Sequence, residues 1–594
     1  MRVADYIFKK LADWGIEHVF LVTGGGAMFL NDGLRCEKRI TPVCCHNEQG
    51  CAIAAEGYFR ASKKIGVVSV TSGPGGTNTL TGLIGQWLDS IPAIYISGQV
   101  KFETTIKSCP ELGLRQLGDQ EFNITDVIKK ITKYSAFVSD PKSIGKELEA
   151  AYYHAINGRP GPVWLDIPLD VQGALIDENE LPTFEVPFSD ITRVQPEQLA
   201  KLNSLIKKAK RPVLIAGWGI RLADAEAEFA EFLDKIDIPV VSTFNGFDLI
   251  PTDHPRFSGR IGTFGQRAGN FVLQNADLVL SVGTRNNVRQ ISYNWKSYCR
   301  NAVKISVDID AAELKKKTFV PDLPINANAK DFFASFNLDC PNNLPDWSSW
   351  RTWCTECLVK NPAHTQTHIM WDDGINPYHF MHELTSLMPD DTDLVAGNGT
   401  ACVVLFQTGI VKAGQRIFWN SGCASMGYDV PAALGACMAT GRKTVCLSGD
   451  GSFMMNLQEL QVIAFHKLPC KLFLLDNNGY CSIKQTQKNF FGNELLGCDP
   501  QSGIGFPDFL MIARAFGIEN LYEVSEQKNL KKVIDEVLNS DGPAFCLVRM
   551  PDNLNFEPKL SSQRLPDGTI VSSPIEDMFP FMERNEFKSN MIQE

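Results

Sequence analysis

No stretch of these 594 residues reads as a membrane span. The run 65–88 carries no charge and is long enough. It holds six Gly, Pro74 and many Ser and Thr, so its backbone could not satisfy itself in lipid. An export signal is also missing. The first fifteen residues carry Arg2, Asp5, Lys9, Lys10 and Asp13, with Val3, Ile7, Leu11 and Trp14 at helical spacing, which predicts an amphipathic surface helix. There is no excess of positive charge: 57 Lys and Arg stand against 68 Asp and Glu, a net charge of −11, which argues against nucleic-acid binding. Cys354 and Cys357 form one C-x-x-C pair, but no second pair follows at zinc-site spacing. The 17 cysteines are scattered among apolar residues and predict buried, reduced thiols in a soluble, cytoplasmic protein. No short repeat is evident. With 44% hydrophobic and 21% charged residues, disordered and fibrous classes are excluded.

What is present is an alternation of short apolar runs and helical stretches in three blocks, which predicts an α/β fold of three doubly wound parallel-sheet domains. The blocks span 1–175, 196–340 and 373–552, followed by a tail, 553–594. Strands are expected at His18–Leu21, Gly66–Thr71, Ala93–Ser97 and Val163–Ile167 in the first block. In the second they fall at Val213–Ala216, Pro239–Ser242, Leu278–Val282 and Val303–Asp308. The third has Leu394–Ala396, Thr444–Ser448, Lys471–Leu475 and Ala544–Arg549. A Pro-rich acidic linker lies near 172–195, a Trp-rich connection of weak periodicity near 335–375, and the tail could order over the body or stay loose. The first and third blocks are similar in size and pattern.

The most informative stretch is 444–480. A strand ends in Gly449-Asp450-Gly451-Ser452, and a second strand ends in Asp476-Asn477-Asn478-Gly479-Tyr480, 27 residues from Asp450 to Asn477. Parallel strands place both loops at one sheet edge, where ligands bind. Glycines let a phosphate approach the backbone, and a helix N-terminus offers free N–H groups. Asp450 and the Asn477 amide oxygen are hard ligands suited to Mg²⁺, which takes few protein ligands plus phosphate oxygens.

This pair of loops resembles the signature of thiamine diphosphate (ThDP) enzymes, and the chain resembles acetolactate synthases over about 550 of its 594 residues. The resemblance implies ThDP held through Mg²⁺ by Asp450, Asn477 and the Gly479 carbonyl, with Gly451, Ser452 and Tyr480 beside it. Segment 46–100 resembles the pyrimidine-binding domain, so Glu48 stands for the catalytic carboxylate. That group hydrogen-bonds N1′ of the aminopyrimidine and favours the tautomer that takes the C2 proton of the thiazolium. Asn47 replaces the His usual there. In N-S-G-C-A-S-M-G-Y-D, Met426 matches the residue that wedges the cofactor into its V shape, and the Ala424 carbonyl receives the 4′-amino proton. Gly397, Asn398 and Gly399 match a diphosphate-contact turn, with Thr400 and Ala401 departing from the usual residues.

The middle block resembles the flavin-binding domain of the same family. Arg159, Gly217, Gly219, Thr243, Gly262, Thr263, Phe264, Gly283, Arg285, Arg289, Asp308 and Asn328 fall on FAD-contact positions. Trp218, Asn286 and Asn287 depart from the usual residues, and related enzymes keep this domain with ADP or nothing bound. Gln120-Glu121 matches a Gln-Glu pair near the reaction centre. Asp119 replaces an apolar aromatic, and Thr486 replaces the Trp of the acceptor pocket. The implied activity is decarboxylation of a 2-keto acid such as pyruvate and transfer of the acyl carbanion to a carbonyl acceptor. Asp119 and Thr486 favour a hydroxylated acceptor such as a keto-sugar. A ThDP-dependent decarboxylase, a C–C hydrolase, a pyruvate-oxidase-like flavoenzyme and a non-catalytic nucleotide-binding scaffold stay open beside it. The family builds its site between chains, which implies a homodimer or homotetramer.

Overall fold

The computed structural model describes residues 1–187, 193–492, 494–564 and 566–592. The centre of the acidic linker, residues 188–192, lies outside them. Three six-stranded sheets carry the fold, and every strand pairing within them is parallel.

The first sheet comprises β1 (His18–Leu21), β2 (Thr41–Cys44), β3 (Gly66–Val70), β4 (Ala93–Gln99), β5 (Tyr134–Phe137) and β6 (Pro162–Pro168). Its order is β2-β1-β3-β4-β6-β5. The second comprises β7 (Pro212–Ala216), β8 (Val240–Ser242), β9 (Phe257–Arg260), β10 (Leu278–Val282), β11 (Val303–Asp308) and β12 (Leu323–Asn326), ordered β12-β11-β10-β7-β8-β9. The third comprises β13 (Asp393–Ala396), β14 (Arg416–Phe418), β15 (Thr444–Gly449), β16 (Cys470–Asp476), β17 (Asn520–Val524) and β18 (Ala544–Arg549), ordered β14-β13-β15-β16-β18-β17. The outer two sheets share one topology. The central one has the order of a dinucleotide-binding sheet, reversing between β10 and β7.

Seven helices position the sites: α1 (Val3–Asp13), α2 (Glu48–Ser62), α3 (Ser348–Lys360), α4 (Thr400–Thr408), α5 (Asp429–Thr440), α6 (Asp450–Asn456) and α7 (Cys481–Phe491). Helix α1 buries Val3, Ile7 and Leu11 as its spacing predicts. The Trp-rich connection is better ordered than its weak periodicity implies. Helix α3 docks on the central sheet, with Trp347 and Trp350 donating their indole N–H groups to the Ala209 and Pro212 carbonyls at 2.9 and 3.0 Å. The tail orders over the body: Ile575 and Met578 are buried, and Asn270 donates to the Ile575 carbonyl at 3.0 Å. All 17 cysteines are free and eleven of them are buried. Among the described residues no helix is long and apolar enough to cross a membrane.

The contact between the outer domains decides where chemistry can occur. Helix α2 packs against α5 through small residues: Gly57 faces the Ala432 carbonyl, and Gly435 faces the Ala54 carbonyl. These pairings run in opposite chain directions, so the helices are antiparallel. Each helix leaves the C-terminal edge of its own sheet, since α2 follows β2 and α5 follows β14 by one loop. The C-terminal edges of the first and third sheets therefore point in opposite directions within one chain. A Cβ at Gly435 would stand far inside contact distance of the Ala54 carbonyl. Gly435→Ala should therefore destabilise the chain by about 3 kcal/mol, the upper range for overpacking. A urea midpoint unchanged from the wild type would refute this packing.

A buried ionic network closes the junction of the three domains. Arg60 pairs with Glu56 at 2.8 Å and Asp89 at 2.7 Å, all three essentially inaccessible. Asn420 of the third domain donates to Glu56 at 3.1 Å, and Arg285 of the central domain reaches Asp89 at 3.3 Å.

Candidate active site and central pocket

At the C-terminal edge of the third sheet, β15 runs directly into α6. Asp450, at the start of that helix, is 2% exposed. Its carboxylate accepts the Gly451 amide at 2.6 Å and the Gly479 amide at 2.8 Å, drawing the two loops together. No cation offsets it among the described residues, and burial pushes the carboxyl up to about 7. Next to it, Asn477 Oδ1 is buried with no hydrogen-bond partner. Glycine is demanded at two points: a Cβ at Gly451 would enter the Tyr480 ring, and Gly479 has φ of 152° with the Cys498 carbonyl against its face.

Asn477 and Thr400 line the same pocket, about 260 Å³ of open space that also touches Tyr378 and Asn555. This brings the Gly397-Asn398-Gly399 turn beside the loop 476–479. Gly399 has φ of 59°, and the Asn398 side chain donates to the Ala424 carbonyl. Ala424 itself has φ of 53°, a strained value for a residue with a Cβ, and the loop is held from behind. Asn420 Oδ1 accepts the Cys423 and Ala424 amides at 3.1 and 3.0 Å. Ser452 accepts the Gly427 amide at 2.8 Å and donates to Asp429 at 2.6 Å, which fixes the turn after half-buried Met426.

A second cluster sits at the C-terminal edge of the first sheet. Glu48 opens α2, with Asn47 capping the helix through the Gln49 amide at 2.8 Å. Asn78 donates to Glu48 at 2.9 Å. The same loop begins at Gly73, whose Cα faces the carbonyl of Gln120, so Glu48 and Gln120 border one segment. Gln120 is exposed with φ of 59°. Its neighbour Glu121 turns inward, accepting the Leu117 and Gly118 amides at 2.8 and 3.2 Å.

The two clusters do not meet in one chain. From the level of Gly57, beside the start of α5, back to Glu48 is nine residues, about 14 Å along the helix axis.

The central sheet carries a pocket of about 1090 Å³ of open space along its C-terminal edge. Arg159, Gly219, Thr243, Gly262, Thr263, Phe264, Gly283, Arg285, Arg289, Asp308 and Asn328 all line it, as do Trp218, Asn286 and Asn287. Gly217 does not. It packs against Gly283 and Thr284, so its lack of a side chain serves the crossing of two turns. Several of the others are already engaged. Arg159 is paired with Asp310 at 2.9 Å and Glu313 at 3.0 Å, Thr243 donates to the Ala216 carbonyl, and Asn328 caps the following helix. Among the described residues, three that line the pocket keep a buried polar atom without a partner: Trp218 Nε1, Arg289 Nε and Asn245 Oδ1. Burial pushes the Asp308 carboxyl up to about 6.

Sequence reasoning missed Asn78, Asn420, Asn245 and Glu459. Glu459, in L-Q-E-L-Q, has the pattern of an ordinary helix surface residue, yet it is completely buried. Among the described residues no group of three or more His, Cys, Asp or Glu is placed to hold a metal.

Residues 1–121 match the family described as thiamine pyrophosphate enzyme, N-terminal TPP binding domain; 199–336 match its central domain and 397–548 its C-terminal TPP binding domain. The chain is 32% identical to the acetolactate synthase isozyme 2 large subunit of Escherichia coli (strain K12), over 97% of this chain and 100% of that one. It is 31% identical to the acetolactate synthase large subunit of Lactococcus lactis subsp. lactis (strain IL1403), over 92% of each. With the chloroplastic acetolactate synthase of Arabidopsis thaliana it shares 30% identity, over 94% of this chain and 83% of that one.

Proposed function

The chain belongs to the thiamine pyrophosphate enzymes of the acetolactate synthase type, and we propose that it decarboxylates a 2-keto acid such as pyruvate and transfers the acyl group to a carbonyl acceptor. The observation that carries this reading is the unpartnered Asn477 Oδ1, buried beside Asp450 on a pocket shared with Thr400. An acceptor atom in that position wants a cation, and a single nearby carboxylate suits Mg²⁺ that completes its shell with diphosphate oxygens. Asp450, Asn477 and the Gly479 carbonyl would hold the metal, and the Gly397–Gly399 turn and the Ser452 amide would receive the diphosphate. When bound, ThDP supplies the nucleophilic carbon and the electron sink for decarboxylation. Glu48 would hold a proton at N1′ of the aminopyrimidine, with Asn78 orienting its carboxylate. Met426 and the Ala424 carbonyl would lie against the cofactor.

The opposed sheet edges support a site built from two chains. Glu48 of one copy would meet Asp450 and Asn477 of the other, so a symmetric dimer is the smallest active unit, with a tetramer as its pairing. For the central pocket, Trp218 Nε1, Arg289 Nε and Asn245 Oδ1 are spread over both halves of a dinucleotide-type sheet, which suits FAD better than a mononucleotide. A flavin absorbance band retained by the purified protein would support that assignment.

Incubation with ThDP, Mg²⁺ and a panel of 2-keto acids, reading carbon dioxide and product masses with and without a second carbonyl compound, tests the whole reading. Ligated products support it. Carbon dioxide with free aldehyde alone would point to a decarboxylase, and bleaching of bound flavin by pyruvate to an oxidase.

The acceptor pocket carries a finer proposal. Thr486 is exposed on α7, and its hydroxyl already donates to the Ser482 carbonyl at 3.0 Å. It thus contributes missing bulk rather than an unpaired polar group; that part of the expectation rests on exposed Asp119 alone. A roomier, partly polar pocket favours a hydroxylated acceptor such as a keto-sugar over a second small 2-keto acid. Thr486→Trp should shift product toward acetolactate by about tenfold, the scale of one apolar contact in a pocket. If the unaltered protein makes acetolactate at synthase-like rates and sugars do not compete, the hydroxylated acceptor is wrong.

A further inference from the structure

Glu459 ends the turn Leu457–Glu459 that follows α6, and its side chain is 0% exposed. No Lys, Arg or His pairs with it among the described residues. Its carboxylate instead accepts backbone amides from the other outer domain: Asn47 N–H at 3.0 Å and His46 N–H at 3.2 Å to Oε1, with His46 also 3.3 Å from Oε2. Gly50 makes the room, because a Cβ there would come within 2.5 Å of Oε1. Burial pushes the carboxyl up to about 7.

A carboxylate buried without a cation is a costly way to stabilise a fold, and an apolar residue of similar volume would do so more cheaply. What the group secures is the backbone just before Glu48. Asn47 caps α2 downstream through the Gln49 amide, Glu459 takes the amides upstream, and Asn78 holds the Glu48 carboxylate from the side. The peptide carrying Glu48 is thus gripped on both sides. The positive end of α2 also faces Glu459.

We infer that Glu459 is the positioning residue for Glu48, holding it at the reach its reaction needs. This rests on the reading of Glu48 as the carboxylate at the aminopyrimidine. It also ties the two sites of a dimer together. Glu459 lies nine residues after Asp450 on the segment that begins at the metal loop, so each chain's own metal loop braces the Glu48 that works in its partner's site.

The test uses the full chain with ThDP and Mg²⁺, in Glu459→Gln and Glu459→Ala, each alone and combined with Glu48→Gln. Single-turnover carbon dioxide release, the half-saturating ThDP concentration, and amide hydrogen exchange over residues 45–50 without cofactor are the readouts. Glu459→Ala should cut turnover about a hundredfold, as expected for a catalytic group displaced by about an ångström. The ThDP requirement should change less than about threefold, and exchange at His46 and Asn47 should quicken. Glu459→Gln, which keeps the shape and one acceptor oxygen, should restore turnover to within about tenfold of the wild type and covers the case in which the Ala variant folds poorly. In the Glu48→Gln background, loss of Glu459 should reduce the residual rate no further. Equal losses in both backgrounds, or amide exchange unaltered in Glu459→Ala, would overturn the inference. A fully active Glu48→Gln protein would overturn the reading of Glu48 itself. Amide exchange tells the two failures apart, since it needs neither cofactor nor turnover.

Discussion

Glu48→Gln should lower turnover about a thousandfold, within the range for losing a general acid–base group, while ThDP binding changes less than threefold. Gln keeps the length and an acceptor oxygen for the Asn78 amide, so the local fold has no reason to move. What it loses is a group that can hold and release a proton. The same variant can report where the site is built. Glu48 opens α2 at the edge of the first sheet, and Asp450 opens α6 at the oppositely directed edge of the third. Mixing Glu48→Gln chains with Asn477→Ala chains, each inactive alone, should therefore restore activity. After random reassortment half of the dimers are mixed, and each mixed dimer has one site with both native residues, so about a quarter of wild-type activity returns. Sites completed within single chains would give no recovery, and that result would sink the interchain reading.

Legibility in the sequence followed burial. The twelve strands expected from apolar runs are the four inner strands of each sheet. In these three sheets the six strands that went unnamed, β2, β5, β9, β12, β14 and β17, are the edges. Inner parallel strands are covered on both faces and read as continuous runs of Val, Ile and Leu. Edge strands such as Thr41–Cys44 and Asn520–Val524 are half exposed, while Phe257–Arg260 and Arg416–Phe418 are short and carry an arginine. The same logic divides the site. The residues proposed for the cofactor's phosphate end lie in two compact loops, where glycines and oxygen-bearing side chains make a local pattern. Those that brace the loops act across domain boundaries. Asn420 reaches Glu56, and Glu459 reaches the amides of His46 and Asn47, more than 360 residues away in the first case and more than 410 in the second. Nothing local announces such pairs. Gly217 shows the converse, a motif glycine whose reason is packing against Gly283.

Asp450→Asn and Asn477→Ala should each cost the protein its response to ThDP and Mg²⁺ without weakening the cofactor-free fold. Asp450 is buried with only two backbone amides as partners, and an ion taken from water without a counter-charge is a burden of several kcal/mol on the native state. The unpaired Asn477 Oδ1 adds about 1–3 kcal/mol. Both penalties vanish once a divalent cation sits between the loops, so they act as stored free energy released on binding. Asp450→Asn removes the larger charge penalty while leaving one of its two backbone amides without an acceptor, at about 1–3 kcal/mol, and Asn477→Ala removes the unpaired oxygen; each removes the ligand as well. The cofactor-free variants should therefore melt at or above the wild-type temperature, a stability gain made at the expense of function. Saturating ligand should separate them sharply. At about a hundred times its dissociation constant, ThDP with Mg²⁺ should stabilise the wild type by about 2.7 kcal/mol and the variants by almost nothing. Either variant keeping the full ligand-induced rise in melting temperature would show that the cation is held elsewhere. A clear loss of cofactor-free stability would show instead that Asp450 and Asn477 serve the fold rather than the ligand.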